Sequence, residues 1–337
     1  MSKKLNIAIN GFGRIGRAVF KIINDNYPNY KIVAINDLTD TETLSHLLKR
    51  DSVYDLYDKK ISCDEGSITV SGKKVKVFSE KDPSLLPWGK MNVDVVLECT
   101  GRFTNKESLD LHIKAGAKKV ILSAPAKGKS KVKTIVIGVN EDKINKKDDI
   151  LSCASCTTNC IAPVTDIIKK SFGIKKALMT TIHAYTADQN LVDGPHRDLR
   201  RARSAALNIV PTTTGAASAI AQTIPSLTGS FDGLAVRVPV PVGSICDTVF
   251  LLKKKVKEED VNNAFIKAAN NKKYKGIIEA SYEPLVSSDI VKNSHSAIVD
   301  LSLTKVVDGD LLKVISWYDN EWGYSCRLAD MIKYLKW

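Results

Sequence analysis

Continuous apolar runs alternate with stretches of helical periodicity through the first half of the chain. The apolar runs predict strands at 5–9, 31–35, 93–97, 120–122 and 134–137. The helical stretches predict helices at 14–23, 41–49 and 105–115, the last with Gly116 as its C-cap. Two runs, 68–70 and 75–78, flank Ser71-Gly72 and predict an inserted hairpin. This alternation predicts a parallel sheet with helices on both faces.

The pattern changes after about Ser155, where apolar runs follow one another without helices between most of them. These runs predict strands at 177–184, 234–240, 245–252, 297–303 and 311–318. Helical spacing predicts helices at 161–168, with Pro163 near the first turn, at 258–271 and at 323–335. The second half is therefore predicted to be an α+β domain with a mostly antiparallel sheet.

One glycine-rich turn follows the first predicted strand and opens the first predicted helix. Gly11, Gly13 and Gly16 match G-x-G-x-x-G, which places a pyrophosphate against a helix N-terminus. The second strand ends at Asp37, a carboxylate at the right distance to bind a ribose 2′-hydroxyl and to repel the extra phosphate of NADP. A glycine turn that only tightens packing is the weaker alternative. We therefore predict a Rossmann-type doubly wound domain that binds NAD.

The switch of pattern, rather than a flexible linker, marks the domain boundary. We predict an NAD-binding domain at 1–154 and a catalytic domain at 155–319. The C-terminal helix, about 320–337, is expected to pack back on the first domain.

Composition narrows the class of protein. Of 337 residues, 44% are hydrophobic and 26% charged, as in soluble globular chains, and no apolar stretch is long enough to span a membrane. The first residues lack the apolar core of a signal peptide. Seven scattered cysteines do not form a disulfide framework and suit a reducing compartment. We expect a cytoplasmic protein whose net charge of +13 suits anionic partners.

A cysteine cluster opens the second half, and three interpretations compete for it. Cys153 and Cys156 form C-x-x-C, but no second ligand pair completes a zinc site, and a thioredoxin-like redox pair belongs in a smaller fold. The third interpretation is a nucleophile: Cys156 falls at a helix N-terminus, which lowers a thiol pKa. His183, at a predicted strand end, is the candidate base. A core cysteine and a surface histidine remain the alternatives from these residues alone.

Five motifs in order resemble the phosphorylating glyceraldehyde-3-phosphate dehydrogenase family over nearly the whole chain. They are Asn10-Gly11-Phe12-Gly13-Arg14-Ile15-Gly16-Arg17, Ser155-Cys156-Thr157-Thr158-Asn159-Cys160, His183-Ala184-Tyr185-Thr186, Pro211-Thr212-Thr213-Thr214-Gly215-Ala216-Ala217 and Trp317-Tyr318-Asp319-Asn320-Glu321-Trp322-Gly323-Tyr324-Ser325. The resemblance implies oxidation of D-glyceraldehyde 3-phosphate by NAD with inorganic phosphate, through a thiohemiacetal and a thioester on Cys156. It also implies a homotetramer.

The resemblance implies further roles for individual residues. Cys156 is the implied nucleophile and His183 the implied base. Implied cofactor contacts are Gly11, Gly13, Arg14, Ile15, Gly16, Asp37, Lys81, Ser123 and Asn320. Implied contacts of the substrate phosphate or inorganic phosphate are Ser155, Thr157, Thr186, Arg201, Thr214, Gly215 and Arg237. No metal site is expected.

Two other functions remain in competition. A dehydrogenase for erythrose 4-phosphate would share the cysteine, the histidine and the cofactor fold. The basic segments 127–133 and 197–203 raise a nucleic-acid-binding role, although no nucleic-acid motif accompanies them.

Overall fold

The computed structural model describes residues 4–130 and 132–337. Residues 1–3, where no signal peptide is expected, and Lys131 of the basic segment lie outside the described residues. The chain forms two compact units: one comprises 1–135, 142–154 and 325–337, and the other 136–141 and 155–324. Within the described residues, no helix combines the length and apolarity that crossing a membrane requires.

A nine-stranded sheet forms the first unit. Its long strands are β1 (Leu5–Asn10), β2 (Tyr30–Asn36), β5 (Ile61–Asp64), β6 (Ser67–Val70), β7 (Lys73–Phe78), β8 (Val95–Glu98) and β9 (Lys119–Leu122), followed by the short β10 (Lys133–Thr134) and β11 (Ile150–Ser152). A separate ribbon pairs β3 (Arg50–Asp51) with β4 (Asp55–Leu56). The helices are α1 (Arg14–Asn26), α2 (Thr41–Lys49) and α3 (Lys106–Lys114).

The strand order is β10-β11-β9-β8-β1-β2-β7-β6-β5, parallel from β10 to β7 and antiparallel in the β5-β6-β7 ribbon. The chain runs from β1 to β2 on one side of β1 and later to β8 on the other side, which creates a topological switch point. The parallel sheet and the hairpin around Ser71-Gly72 confirm the predictions. Both turn residues have positive φ, 49° and 79°, as a two-residue hairpin turn requires.

One predicted strand of this half is mostly wrong. Of the run 134–137 only Thr134 lies in a strand, as the second residue of β10 (Lys133–Thr134). The Val136 N–H donates to the Asn140 side chain (2.8 Å) instead of to a neighbouring strand, and Gly138 turns the backbone with φ at 88°. A local side-chain acceptor therefore replaces the sheet partner that periodicity alone implied.

The second unit has a seven-stranded sheet covered by helices on one face. Its strands are β12 (Ile174–Ala184), β13 (Val210–Thr212), β14 (Phe231–Val238), β15 (Ser244–Leu252), β16 (Ile278–Ser281), β17 (Ala297–Val307) and β18 (Leu311–Tyr318), in the order β13-β14-β12-β15-β18-β17-β16. Only β12–β14 and β16–β17 are parallel, so the predicted mostly antiparallel sheet is confirmed.

Helices α4 (Cys156–Phe172), α5 (Ala216–Thr223) and α6 (Glu258–Ala269) pack on this sheet, and α7 (Trp322–Met331) follows β18. The structure corrects the placement of Pro163, which is the eighth residue of α4 and not near its first turn. Proline there leaves one backbone hydrogen bond unmade. The helix continues because every residue from Thr157 to Ile168 is buried, so packing outweighs the local preference.

Candidate active site

The glycine turn between β1 and α1 is shaped by close backbone contacts. Gly11 has φ at 90°, and a Cβ there would lie 2.7 Å from the Thr100 nitrogen. A Cβ on Gly16 would lie 2.1 Å from the Gly11 oxygen. Gly13 has open space where its Cβ would be, so its backbone stays accessible to a ligand. These residues therefore form the cradle that a pyrophosphate requires.

A pocket of about 330 Å³ opens at the carboxyl ends of these parallel strands. Its wall includes Gly11, Gly13, Asp37 and Lys81. Asp37 accepts hydrogen bonds from the Phe12 N–H (2.7 Å) and the Thr39 N–H (3.0 Å). Each carboxylate oxygen retains a free acceptor position for a hydroxyl. The cradle and the carboxylate fit a dinucleotide of the NAD type.

The remaining predicted cofactor residues of this unit do not line that pocket. The Arg14 guanidinium forms an ion pair with Asp51 (2.7 Å) and lies 5.3 Å from the centre of the Tyr54 ring. Ile15 and Gly16 lie within the first turn of α1. Ser123 follows β9 and donates its N–H to the Glu98 carbonyl (2.9 Å).

In the second unit, Cys156 is the first residue of α4. Ser155 is the N-cap, and its hydroxyl accepts from the Thr158 N–H (3.0 Å). Ala154, just before the cap, adopts φ at 57°, which turns the chain sharply into the helix. At this helix start the Thr157 N–H donates to the Cys156 thiol.

His183 lies near the end of β12 with its Nε2 3.4 Å from Cys156 Sγ. The other ring nitrogen, Nδ1, lies 2.7 Å from the Ala184 carbonyl oxygen. A carbonyl only accepts, so Nδ1 carries the hydrogen, and Nε2 of the neutral ring faces the thiol as an acceptor. The predicted nucleophile and base are thus in contact, in the tautomer that proton removal needs.

Burial sets the protonation states of this pair. It raises the pKa of the Cys156 thiol to about 11, against the opposing effects of Arg237 and of the Thr157 N–H. Burial, with Arg237 and Arg201, lowers the pKa of His183 to about 3. The expected lowering of the thiol pKa by the helix start is therefore wrong in net effect, because desolvation outweighs it. The resting pair is a neutral thiol and a neutral imidazole.

Tyr318 is a site residue to which sequence reasoning assigned no role. Its hydroxyl is 2.9 Å from both Thr157 Oγ1 and Thr181 Oγ1, and its ring meets the His183 ring edge-on at 6.0 Å. The only sequence signal is its place in the motif 317–325. The Tyr318 ring therefore packs against one side of the His183 imidazole, and its hydroxyl holds the hydroxyl of Thr157 in place.

The predicted phosphate ligands are only partly grouped. Arg237 on β14 lies opposite His183 on the neighbouring strand β12. Its Nη1 donates to Thr186 Oγ1 (3.1 Å). Its Nε is buried without a hydrogen-bond partner among the described residues. Thr214 and Gly215 lie at the start of α5, where Thr214 Oγ1 accepts from the Ala216 N–H (3.2 Å).

Arg201 is already engaged by its own loop. Its guanidinium donates to Thr212 Oγ1 (2.9 Å) and the Thr213 carbonyl (3.1 Å) and forms ion pairs with Asp188 and Asp198. Two carboxylates thus compensate its charge, which leaves it less available to a phosphate than Arg237.

Asn320 is buried two residues after the end of β18. Its Oδ1 accepts from the Gly243 N–H (3.2 Å) and the Ser244 hydroxyl (3.0 Å). These bonds fix the amide orientation, so Nδ2 is the group that remains to donate to a ligand.

A doubly wound sheet with a dinucleotide cradle, joined to a unit with a cysteine–histidine pair, defines the class as a dinucleotide-dependent oxidoreductase. Two family models match the chain. Residues 5–106 match the glyceraldehyde 3-phosphate dehydrogenase NAD binding domain, and residues 155–320 match the glyceraldehyde 3-phosphate dehydrogenase C-terminal domain.

Curated relatives match along nearly the full chain. A glyceraldehyde-3-phosphate dehydrogenase of Thermotoga maritima is 55% identical over 330 residues, 98% of each chain. That of Borreliella burgdorferi is 52% identical over 98% of this chain and 99% of its own, and one of Bacillus subtilis is 50% identical over 98% and 97%. The chain belongs to the glyceraldehyde-3-phosphate dehydrogenase family and is an NAD-dependent oxidoreductase of glycolysis. These matches support neither erythrose 4-phosphate nor nucleic acid as its target.

Proposed function

We propose that the protein oxidises D-glyceraldehyde 3-phosphate with NAD and inorganic phosphate to 1,3-bisphosphoglycerate, with Cys156 as nucleophile and His183 as base. The observation that carries this proposal is the 3.4 Å contact between Cys156 Sγ and His183 Nε2, with Nδ1 bonded to the Ala184 carbonyl. It is the arrangement of a nucleophile with an oriented base.

The first step is attack of Cys156 Sγ on the aldehyde carbon. The thiol proton moves to His183 Nε2, the thiolate forms the C–S bond, and the proton then passes from His183 to the carbonyl oxygen, which gives a hemithioacetal. Proton transfer creates a thiolate and an imidazolium at 3.4 Å, whose mutual attraction offsets part of the cost of burying each charge. N–H groups at the start of α4 stabilise the developing oxyanion.

His183 then accepts the hydroxyl proton of the hemithioacetal. Bound NAD supplies the hydride acceptor that turns this adduct into a thioester. A phosphate oxygen attacks the thioester carbon, the C–S bond breaks, and Cys156 leaves as a thiolate that regains a proton from His183.

The substrate and the attacking phosphate both carry negative charge, and the residues around the pair suit them. Arg237 has a buried Nε with no hydrogen-bond partner in the described part of the chain, which is a donor that a phosphate oxygen satisfies. We propose the other phosphate contacts at Ser155, Thr157, Thr186, Arg201, Thr214 and Gly215.

For the cofactor, the first unit offers a cradle and a carboxylate. We propose that Gly11 and Gly13 approach the pyrophosphate, that Asp37 binds the adenosine ribose, and that Lys81 lies beside it. The further proposed contacts are Arg14, Ile15, Gly16, Ser123 and Asn320. The proposed domains are 1–154 for the cofactor and 155–319 for catalysis, with 320–337 packing on the first.

Phosphate dependence tests the proposed reaction. We expect NADH formation from glyceraldehyde 3-phosphate to require inorganic phosphate, because the thioester of a buried thiol hydrolyses slowly. The measurement is NADH absorbance with and without phosphate, and with arsenate as an alternative acceptor. Equal turnover in the absence of phosphate would identify a hydrolytic aldehyde dehydrogenase and contradict the proposal.

Replacing Asp37 by glycine tests the proposed ribose contact. The variant loses a charge-assisted hydrogen bond, and we expect NAD to bind about 10- to 100-fold more weakly. The affinity for NADP should fall much less, because the carboxylate that repels its extra phosphate is gone. The ratio of KM values for the two cofactors measures this change, and an unchanged ratio would refute the assignment.

We also propose a homotetramer in the cytoplasm. Leu178, Leu234 and Leu303, on three strands of the second unit, are 67%, 45% and 45% exposed, an apolar surface that a second copy can cover. None of the seven cysteines forms a disulfide within the described residues, which suits a reducing compartment. Sedimentation of the purified protein measures the subunit number, and a monomer would contradict the proposal.

A further inference from the structure

A fully buried carboxylate, Glu98, lies at the end of β8 in the first unit. Its Oε1 accepts from the Thr100 N–H (2.8 Å) and the Thr100 hydroxyl (2.5 Å). Its Oε2 accepts from Asn10 Nδ2 (2.5 Å) and His112 Nε2 (3.0 Å). Four donors thus converge on one side chain that, when ionised, only accepts.

The bond from His112 has a fixed direction. The Trp88 indole N–H, which only donates, lies 3.0 Å from His112 Nδ1. Nδ1 must therefore accept, which places the ring hydrogen on Nε2, facing Glu98. Trp88, His112 and Glu98 are each 0% exposed, so water does not replace any of these bonds.

The bond from Asn10 is fixed in the same way from the other side. The Glu80 N–H donates to Asn36 Oδ1 (2.8 Å), and Asn36 Nδ2 donates to Asn10 Oδ1 (2.7 Å). This orients the Asn10 amide with its Nδ2 toward Glu98. Two hydrogen-bond chains, one starting at a tryptophan and one at a backbone N–H, therefore both end at the same carboxylate oxygen.

The hydrogen-bond chain that runs through Asn36 and Asn10 reaches the wall of the 330 Å³ pocket. Asn10, Asn36, Glu80 and Thr100 all line it, whereas Glu98, His112 and Trp88 do not. Glu98 therefore holds Asn10 and Thr100 of the pocket wall directly, and Asn10 links it to Asn36 and Glu80, without Glu98 reaching the ligand space itself.

We propose that Glu98, oriented by His112 and Trp88, is a positioning residue for NAD binding. The inference rests on the proposed use of this pocket for NAD. Hydrogen bonds in such a chain polarise one another, so the carboxylate both orders and strengthens the contacts behind the pocket wall.

A glutamine cannot replace Glu98 in this setting. An amide nitrogen at the Oε2 position would face two donors whose directions are fixed. At the Oε1 position it would face the Thr100 N–H. Either orientation puts donor against donor and displaces a residue of the pocket wall.

Charge alone predicts the opposite result. A buried negative charge repels the anionic pyrophosphate that the pocket is proposed to take. Neutralising this charge should therefore strengthen NAD binding. A loss of affinity in the neutral variant therefore reports positioning rather than electrostatics.

The experiment is calorimetric titration of NAD into wild type and Glu98→Gln, with steady-state kinetics on both. We expect Kd and KM for NAD to rise about tenfold or more, since one hydrogen bond to a fixed donor is lost. We expect kcat at saturating NAD and KM for the aldehyde to stay close to wild type. Trp88→Phe, which releases His112 from its fixed tautomer, should raise Kd in the same direction by a smaller factor.

Asp94→Asn is the matched control. Asp94 is a buried carboxylate at the opposite end of the same strand, bonded to the Asn6 N–H (2.9 Å) and Lys118 (2.7 Å), and it is not part of the pocket wall. Its loss should lower the unfolding temperature without changing Kd for NAD.

The outcomes separate the two proposals. Unchanged or tighter NAD binding in folded Glu98→Gln, with weaker binding in Asp37→Gly, overturns the role of Glu98 and leaves the pocket assignment intact. No change in either variant overturns the pocket assignment. If Glu98→Gln does not fold, Trp88→Phe decides: an unchanged Kd overturns the inference.

Discussion

Cys156→Ser is expected to lower phosphate-dependent NADH formation by at least about 10⁴-fold, the scale on which removal of a catalytic nucleophile acts. The serine hydroxyl is a far weaker acid than the thiol, whose pKa burial already raises to about 11, so His183 cannot take its proton as readily. An oxygen ester would also transfer its acyl group to phosphate more slowly than a thioester.

The substitution changes one atom, so the fold should survive. NAD titration and the unfolding temperature check this. Cys63→Ser is the matched control, because Cys63 is an exposed thiol on β5. Activity in the Cys156 variant within tenfold of wild type, or equal losses in both variants, would show that Cys156 is not the nucleophile.

His183→Gln is expected to lower the rate by about 10²- to 10⁴-fold near neutral pH, the usual contribution of a general base. Without the base, attack requires a preformed thiolate, and the raised pKa of Cys156, about 11, makes that species rare. The variant's rate should therefore increase about tenfold per pH unit through the alkaline range. The wild type should depend on pH much less steeply, so the defect shrinks as pH rises. A pH-independent defect would contradict the role of His183 as base.

The lowered pKa of His183 also predicts how the free energy of unfolding depends on pH. Burial lowers the pKa of His183 to about 3, below the ordinary value of about 6.5 in the unfolded chain. Between these values the unfolded state binds the extra proton, so the stability from neutral His183 is present above pH 6.5 and is lost as pH falls. His183→Gln should lose less stability between pH 7 and 5 than wild type. His46→Gln is the control, because His46 is exposed on α2.

The local sequence is sufficient to predict those elements whose structure depends on residues close together in the chain. The predicted helix 41–49 matches α2, whose N-cap Asp40 accepts from the Thr43 N–H (2.8 Å). The strand 311–318 matches β18, and the hairpin turn follows from Ser71-Gly72. Prediction failed at 134–137, where the nearby Asn140 side chain takes the backbone donor that a strand would use, and at Pro163, which tertiary packing retains inside α4.

In the candidate site, too, some features follow from the local sequence and others only from tertiary contacts. Capping residues and apolar periodicity predict a helix start at Cys156 and a strand end at His183, and the motifs imply the roles proposed for these two residues. Their contact joins residues 27 positions apart, and that of Thr157 with Tyr318 spans 161. Tyr318 has no signal beyond its place in the motif 317–325, and the hydrogen bonds of Glu98 have none, because each depends on which strands become neighbours.

The sequence by itself determined the order and type of most elements, the glycine turn before α1, the carboxylate after β2 and the family to which the chain belongs. Each of these depends on residues close together in the chain or on recognisable motifs. Only the tertiary structure decided the neutral state of the Cys156–His183 pair, the engagement of Arg201 by two aspartates and the direction of the hydrogen bonds around Glu98. Burial and hydrogen-bond direction are properties of a packed environment, and that environment exists only once distant segments have come together.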